Sequence, residues 1–79
     1  MRLTFTEPDK DVIIAEIESY INQCPSLVER LEYRTELKSV KGNFRSLCDS
    51  GVFHDAIGKV VDVYTVKNDI LAVEVETEY

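Results

Sequence analysis

The sequence predicts a single α+β domain over residues 1–79, with the element order β-α-α-β-β. In this arrangement the helices pack on one face of a small antiparallel sheet that includes a C-terminal hairpin. Three observations lead to this prediction. An alternating run opens the chain, apolar residues recur at helical spacing through its middle, and from Ile57 onward the apolar period changes to two. Seventy-nine residues leave no room for a second core.

The first two elements are a strand and a helix. Residues 1–6 alternate between apolar and polar side chains, which is typical of a half-buried strand. The pair Glu7-Pro8 then predicts a helix start, because proline fits the first turn and acidic side chains favour the positive end of the helix dipole. Pro25 ends this helix, since proline cannot continue its hydrogen-bond ladder. The apolar positions of the helix are Val12, Ile13, Ile14, Ile17, Tyr20 and Ile21.

Residues 27–49 allow several arrangements. Ser26, followed by glutamate three residues later, predicts a second helix start. Two apolar faces follow, displaced from each other by more than a quarter turn, so one straight helix cannot bury both on one side. We favour two helical pieces that break near residues 33–36 and end at Gly51. The alternatives are one helix buried on two sides, a strand over residues 31–37, or a turn at Gly42. The first face holds Leu27, Val28 and Leu31, and the second holds Leu37, Val40, Phe44, Leu47 and Cys48.

A β-hairpin closes the chain. Residues 57–66 and 70–79 are rich in β-branched side chains. Between them, residues 67–69 read Lys-Asn-Asp, a turn signal because Asn and Asp tolerate left-handed backbone angles. We favour the register that pairs Lys59 with Glu78, since opposite charges on facing strands support pairing. A three-residue loop with a shifted register is the alternative.

Composition and charge narrow the class of protein. The chain holds 15 acidic and 9 basic side chains, for a net charge of -6. Strong acidity disfavours a general role in coating nucleic acid or anionic membranes. No apolar run approaches the roughly 20 residues that span a bilayer. The N-terminus also lacks the apolar segment of a signal peptide, so we expect a cytoplasmic protein with free cysteines and no contact with a membrane.

No catalytic, metal or cofactor site is predicted. Nucleophilic catalysis needs a nucleophile, a base and an orienting group that converge. The only histidine, His54, could approach Cys48 or Ser50, but its neighbour Asp55 is expected to point away from it and no nucleophile elbow is present. Together with Cys24 and Cys48 it offers three ligands without zinc-binding spacing, whereas a zinc site needs four. The glycines are scattered and form no phosphate loop. We therefore expect a protein that is not an enzyme.

The placement of charge offers two candidate binding surfaces. One is a basic stripe, formed if its region is helical, that could meet phosphates or an acidic partner. It consists of Arg30, Arg34, Lys38, Lys41 and Arg45. The other is an acidic row on the outer face of the last strand and its turn, spaced to meet a basic partner or to mimic nucleic acid. It consists of Asp69, Glu74, Glu76 and Glu78. The alternative for each is ordinary solvation, or protection of a strand edge from aggregation.

These features predict a small acidic regulator or inhibitor that binds a protein of a cellular complex. Size and composition are typical of viral and mobile-element accessory proteins that act on a host complex, an argument by analogy. The alternative is association with nucleic acid, through the basic stripe or by mimicry. A short chain with an open sheet edge also favours a homodimer, unless a kinked helix buries both apolar faces internally. The residues predicted for self-association are Tyr33, Leu37, Val40 and Phe44.

Overall fold

The computed structural model describes residues 1–77, which form four helices and a three-stranded antiparallel sheet. The predicted α+β class with a small sheet is confirmed. The region predicted as two helical pieces contains two helices, and a further short helix that was not predicted follows it. In chain order the elements are β1 (Arg2–Thr6), α1 (Lys10–Asn22), α2 (Leu27–Val40), α3 (Phe44–Asp49), α4 (Gly51–Ala56), β2 (Lys59–Val66) and β3 (Ile70–Glu76).

The helix α1 begins where the sequence predicts. A single 3-10 turn over Glu7–Asp9 precedes it, and the Thr6 backbone N–H donates to Asp9 Oδ2 at 2.8 Å. The carboxylate thus satisfies a backbone donor that the helix itself leaves unpaired. Three of the predicted apolar positions face the core, namely Ile13, Ile17 and Ile21, whereas Val12 is exposed.

The helix α2 starts at the predicted cap but does not break where we expected. Ser26 Oγ accepts a hydrogen bond from the Glu29 backbone N–H at 3.3 Å. The helix then runs unbroken through residues 33–36, so both the favoured break and the alternative strand over residues 31–37 are wrong. The chain turns instead at residues 41–43, where Asn43 caps α3 by accepting from the Ser46 N–H at 3.0 Å.

Gly51 does not end the helical region. Ser50 caps a further helix, α4, by accepting from the Phe53 N–H at 3.2 Å, and Gly51 is the first residue of that helix. A serine that accepts a backbone bond three residues ahead is a helix start signal. The predicted C-terminal stop is therefore the beginning of α4, which carries His54.

The strand order of the sheet is β1-β3-β2, so the last strand is central. The predicted pairing of Lys59 with Glu78 is wrong, because Lys59 lies opposite Glu76 and Glu78 is outside the described residues. The three-residue loop is confirmed, and both Asn68 (φ 62°) and Asp69 (φ 58°) adopt left-handed angles.

A bulge between Val60 and Asp62 explains the register of the hairpin. Val63 pairs with Val73, and beyond the bulge Val60 pairs with Val75. The extra residue lets the valines on both sides of the bulge face the helices, while Asp62 lies opposite Glu74 on the outer face.

The core lies between the helices and the inner face of the sheet. β3 contributes Val73 and Val75, and the helices cover them with apolar side chains. Tyr20 and Tyr33 meet edge to face with ring centroids 5.8 Å apart, which joins α1 to α2. Within residues 1–77, no helix is both long enough and apolar enough to cross a membrane. The helical part of the core comprises Ile13, Ile17, Ile21, Leu37, Phe44, Leu47, Cys48, Val52 and Phe53.

Candidate functional site

The side of α2 that faces away from the core carries large apolar side chains. Leu27, Val28 and Leu31 are 62%, 64% and 55% exposed. Because a helix advances about 100° per residue, these three lie on one face, roughly opposite the core-facing Leu37 and Tyr33. We call the three exposed residues the apolar patch.

A row of cations runs along one flank of the apolar patch. Arg30, Arg34 and Lys38 follow one another at four-residue intervals, and Lys41 follows at the C-terminal cap of the helix. These four residues are the basic row. Like charges four residues apart destabilise an exposed helix by about 0.2–0.5 kcal/mol per pair. The helix places its own glutamates on the other flank, namely Glu29, Glu32 and Glu36.

The basic row takes little part in holding the fold. In the part of the chain that the structure describes, none of its four cations lies within 4.0 Å of a carboxylate. Arg34 Nη2 donates to Asn22 Oδ1 at 2.9 Å, and Arg30 Nε is buried without a hydrogen-bond partner among these residues. The cations therefore retain most of their capacity to bind an anionic group.

Part of the basic row lines a cleft of about 330 Å³ between α1 and α2. Arg34, Lys38 and Lys41 contribute three positive charges, against one negative charge from Glu18. Ile21 and Leu37 are its apolar lining, and Asn22 completes it. A concave site with an excess of positive charge suits a carboxylate group.

Arg45 does not belong to the basic row. The turn after α2 places it on α3, where its Nε lies 3.3 Å from Asp49 Oδ2. It lines a separate cleft of about 360 Å³ together with Lys10 and Glu7. The predicted stripe of five cations required one continuous helix, so the turn at residues 41–43 reduces it to four.

The predicted acidic row lies on the central strand and is partly neutralised. Glu76 Oε2 is 3.4 Å from Arg2 Nε, and its Oε1 is 3.8 Å from the N-terminal ammonium group. Glu74 lies between Thr4 and Asp62 on the outer face of the sheet. Asp69 belongs to the hairpin turn, and Glu78 lies outside the described residues. Because β3 is central, these carboxylates do not protect a sheet edge.

The residues predicted for self-association belong to the interior of the monomer. Leu37 and Phe44 are each 6% exposed, and Tyr33 and Val40 pack against the core cluster. The Tyr33 hydroxyl donates to Asp55 Oδ2 at 2.7 Å, and this hydrogen bond raises the Tyr33 pKa. The prediction that the second apolar face meets a second copy is therefore wrong. The second face packs in the core of the monomer, and the first face, which was expected to be buried, is exposed.

Within residues 1–77, no group of three or more His, Cys, Asp or Glu side chains is arranged to hold a metal ion. Cys24 and Cys48 are both free thiols, and burial raises the pKa of the Cys48 thiol to about 12. His54 is exposed, with Nδ1 4.0 Å from Asp55 Oδ1.

Sequence reasoning missed the role of Glu36. Its Oε1 accepts a hydrogen bond of 2.6 Å from the Val52 backbone N–H at the start of α4. No local signal marks this contact, because it joins residues 16 positions apart. The three residues of the apolar patch were recognised in the sequence as one helical face, but that face was expected to be buried and it is exposed.

Comparisons with protein-family models, with curated proteins and with solved structures give no match.

Proposed function

We propose that this protein acts by binding another protein through the solvent face of α2, as a regulator or inhibitor that is not an enzyme. The observation that supports this proposal is the apolar patch, in which Leu27, Val28 and Leu31 are all more than half exposed on one face. Grouped apolar exposure of this kind, bordered by charged residues, is typical of interaction sites. Binding a partner would remove this surface from water.

The composition of the face favours a protein over a nucleic acid. Its centre is aliphatic, and no aromatic side chain stands in the patch for bases to stack on. Glu29, Glu32 and Glu36 lie on the second flank and would repel phosphates. The net charge of -6 adds a long-range repulsion toward a polyanion.

The proposal is tested by comparing two apolar-to-acidic variants in affinity capture from the cells that produce the protein. Leu31→Glu introduces a charge at the centre of the patch. Val66→Glu introduces the same charge at an exposed valine of β2, and serves as the matched control. Both residues are exposed, so both variants should keep the circular dichroism spectrum of the wild type.

We expect the wild type and Val66→Glu to retain the same protein, and Leu31→Glu to lose it. Equal retention by both variants would contradict the proposal, as would a wild type that retains nothing. Loss in both variants would also contradict it, since the binding surface would then extend beyond α2.

A further inference from the structure

We infer that the segment that docks on α2 is a short acidic amphipathic helix of the partner protein. Its apolar side chains would cover Leu27, Val28 and Leu31, and its carboxylates would meet the basic row. This inference rests on the proposed function, and it adds the chemical class of the partner. Helices that lay an apolar stripe along a groove or another helix are a common mode of protein recognition.

The first argument is charge complementarity. Three cations line the cleft between α1 and α2, and only one carboxylate, that of Glu18, lines it with them. The cleft borders the face that carries the patch, because Arg34 and Lys38 belong both to its lining and to the basic row. A partner that covers the patch must therefore bring acidic groups to this flank, or leave the cations without counter-charge as water is displaced.

The second argument comes from the arrangement of charged and apolar side chains around α2. The basic row, the apolar patch and the glutamates Glu29, Glu32 and Glu36 follow one another around the helix. If a second copy paired through the same face in antiparallel orientation, twofold symmetry would place basic row against basic row and glutamate against glutamate. Like charges facing each other disfavour that antiparallel pairing, and an acidic helix of another protein avoids this repulsion on the basic flank. A parallel twofold pair would instead set the basic row against the glutamates, so the light-scattering measurement below separates a second copy from an acidic helix.

The third argument is the extent of the patch. Three partly exposed side chains offer roughly a few hundred Å² of apolar surface, in the range of the largest patch on a typical monomer, which is often functional. Stable contacts between globular surfaces bury about 1,200–2,000 Å² in total. A single helix that combines a few apolar anchors with ionic contacts suits the smaller area.

The test uses two synthetic helical peptides of equal length with leucines at positions i, i+3, i+4 and i+7. One has glutamates along a single flank of the leucine stripe and uncharged glutamines along the other flank, and the second peptide has lysines in place of those glutamates. Binding of each labelled peptide is measured by fluorescence anisotropy at low and at high salt. The wild-type protein should bind the glutamate peptide about tenfold more tightly than the lysine peptide. Because the net charge of the protein is -6, long-range attraction favours the lysine peptide, so the expected preference must come from local contacts.

A charge-reversal pair locates the contact. In Arg34→Glu/Lys38→Glu the preference should switch to the lysine peptide. The control, Lys59→Glu/Lys67→Glu, has the same net charge, but its two changes lie on β2 and the hairpin turn, so it should keep the wild-type preference. Circular dichroism of both variants checks that each is folded.

Several outcomes would overturn the inference. They are no binding of the glutamate peptide, no preference between the peptides, or an equal effect of both double variants. If a DNA or RNA oligonucleotide or anionic vesicles bound more tightly than the glutamate peptide, through Arg34 and Lys38, the ligand of the basic row would be a phosphate group. In light scattering, a mass of twice 9.0 kDa that Leu31→Glu halves would assign the patch to a second copy. If the capture experiment still distinguishes Leu31→Glu from Val66→Glu, the proposed function stands and only the acidic partner helix is rejected.

Discussion

Glu36 shows how one side chain can fix the relative position of two helices. Its carboxylate on α2 accepts the Val52 N–H in the first turn of α4, where the helix leaves backbone donors unpaired. Ser50 satisfies a second donor of the same turn, that of Phe53. The negative charge also lies near the positive end of the α4 dipole. The side chain thus caps a helix from a distant part of the chain.

We expect Glu36→Ala to lower the free energy of unfolding by about 2 kcal/mol, because it leaves a partly buried N–H without its charged acceptor. Glu32→Ala removes an exposed glutamate one turn earlier and should change stability by less than about 0.5 kcal/mol. Urea denaturation of both variants measures the difference. Equal losses would show that the Val52 contact contributes nothing beyond the charge.

At this scale the sequence predicts contacts between near neighbours well. The bond of Ser26 with the Glu29 N–H follows from a pattern of four residues, and so do the left-handed angles at Asn68 and Asp69. The hydrogen bond from Tyr33 to Asp55 spans 22 positions and depends on where α4 packs. Such a contact is decided by tertiary structure, which local residue patterns do not specify.

At the scale of the elements, the start of β2 depends on a close approach between the backbone at Gly58 and the central strand β3. Gly58 has a φ of 154°, and a Cβ atom there would collide with the Glu76 carbonyl oxygen and lie 2.8 Å from Val75 Cγ1. Only glycine accepts both the angle and the contact with the central strand.

Gly58→Ala should therefore destabilise the protein by more than about 2 kcal/mol, through strain and displacement of β2 from β3. Gly42→Ala is the matched control, because a Cβ at residue 42 meets nothing within 4 Å. Thermal unfolding of the two variants should separate them clearly. If the two alanine variants melt at the same temperature, the close approach at Gly58 does not contribute to the stability of the fold.

The two faces of α2 can be separated by one type of substitution. Leu37 is buried against the core, so Leu37→Ala should cost about 2–5 kcal/mol of unfolding free energy. Leu31 is exposed, so Leu31→Ala should change stability by less than about 0.5 kcal/mol. Chemical denaturation provides both values. If Leu31→Ala caused a large loss of stability and Leu37→Ala a small one, α2 would bury the face that holds Leu31, as the sequence predicted, and the structural account would be contradicted.

Most of the elements were predicted in kind, but one short helix and several boundaries were not. Periodicity identified α1, α2 and the hairpin, because each has a clear apolar repeat. It did not identify α4, since a six-residue helix is too short to show a repeat and Gly51 resembles a stop. The bulge at Val60 was also missed, because an extra residue in a strand leaves alternation intact on each side of it.

For the whole molecule, the important feature is that positive charge and exposed apolar surface are concentrated on the same helix, α2. An acidic chain concentrates four of its 9 basic side chains along α2 and its C-terminal cap, beside its most exposed leucines and valine. The sequence revealed both features as patterns. It could not reveal that they share the outward face, because this follows only from how α2 packs on α1 and α4.

The central claim is that the solvent face of α2 is the docking surface for an acidic helix. It is tested most directly by amide chemical-shift mapping of the ¹⁵N-labelled protein during titration with the glutamate peptide. We predict that the shifted signals belong to residues 27–41, which are α2 and its C-terminal cap, and to residues 18–22 of α1, which together carry the patch and the cleft. Shifts confined to the outer face of the sheet, around Tyr64 and Glu74, or no shifts at all, would contradict the account.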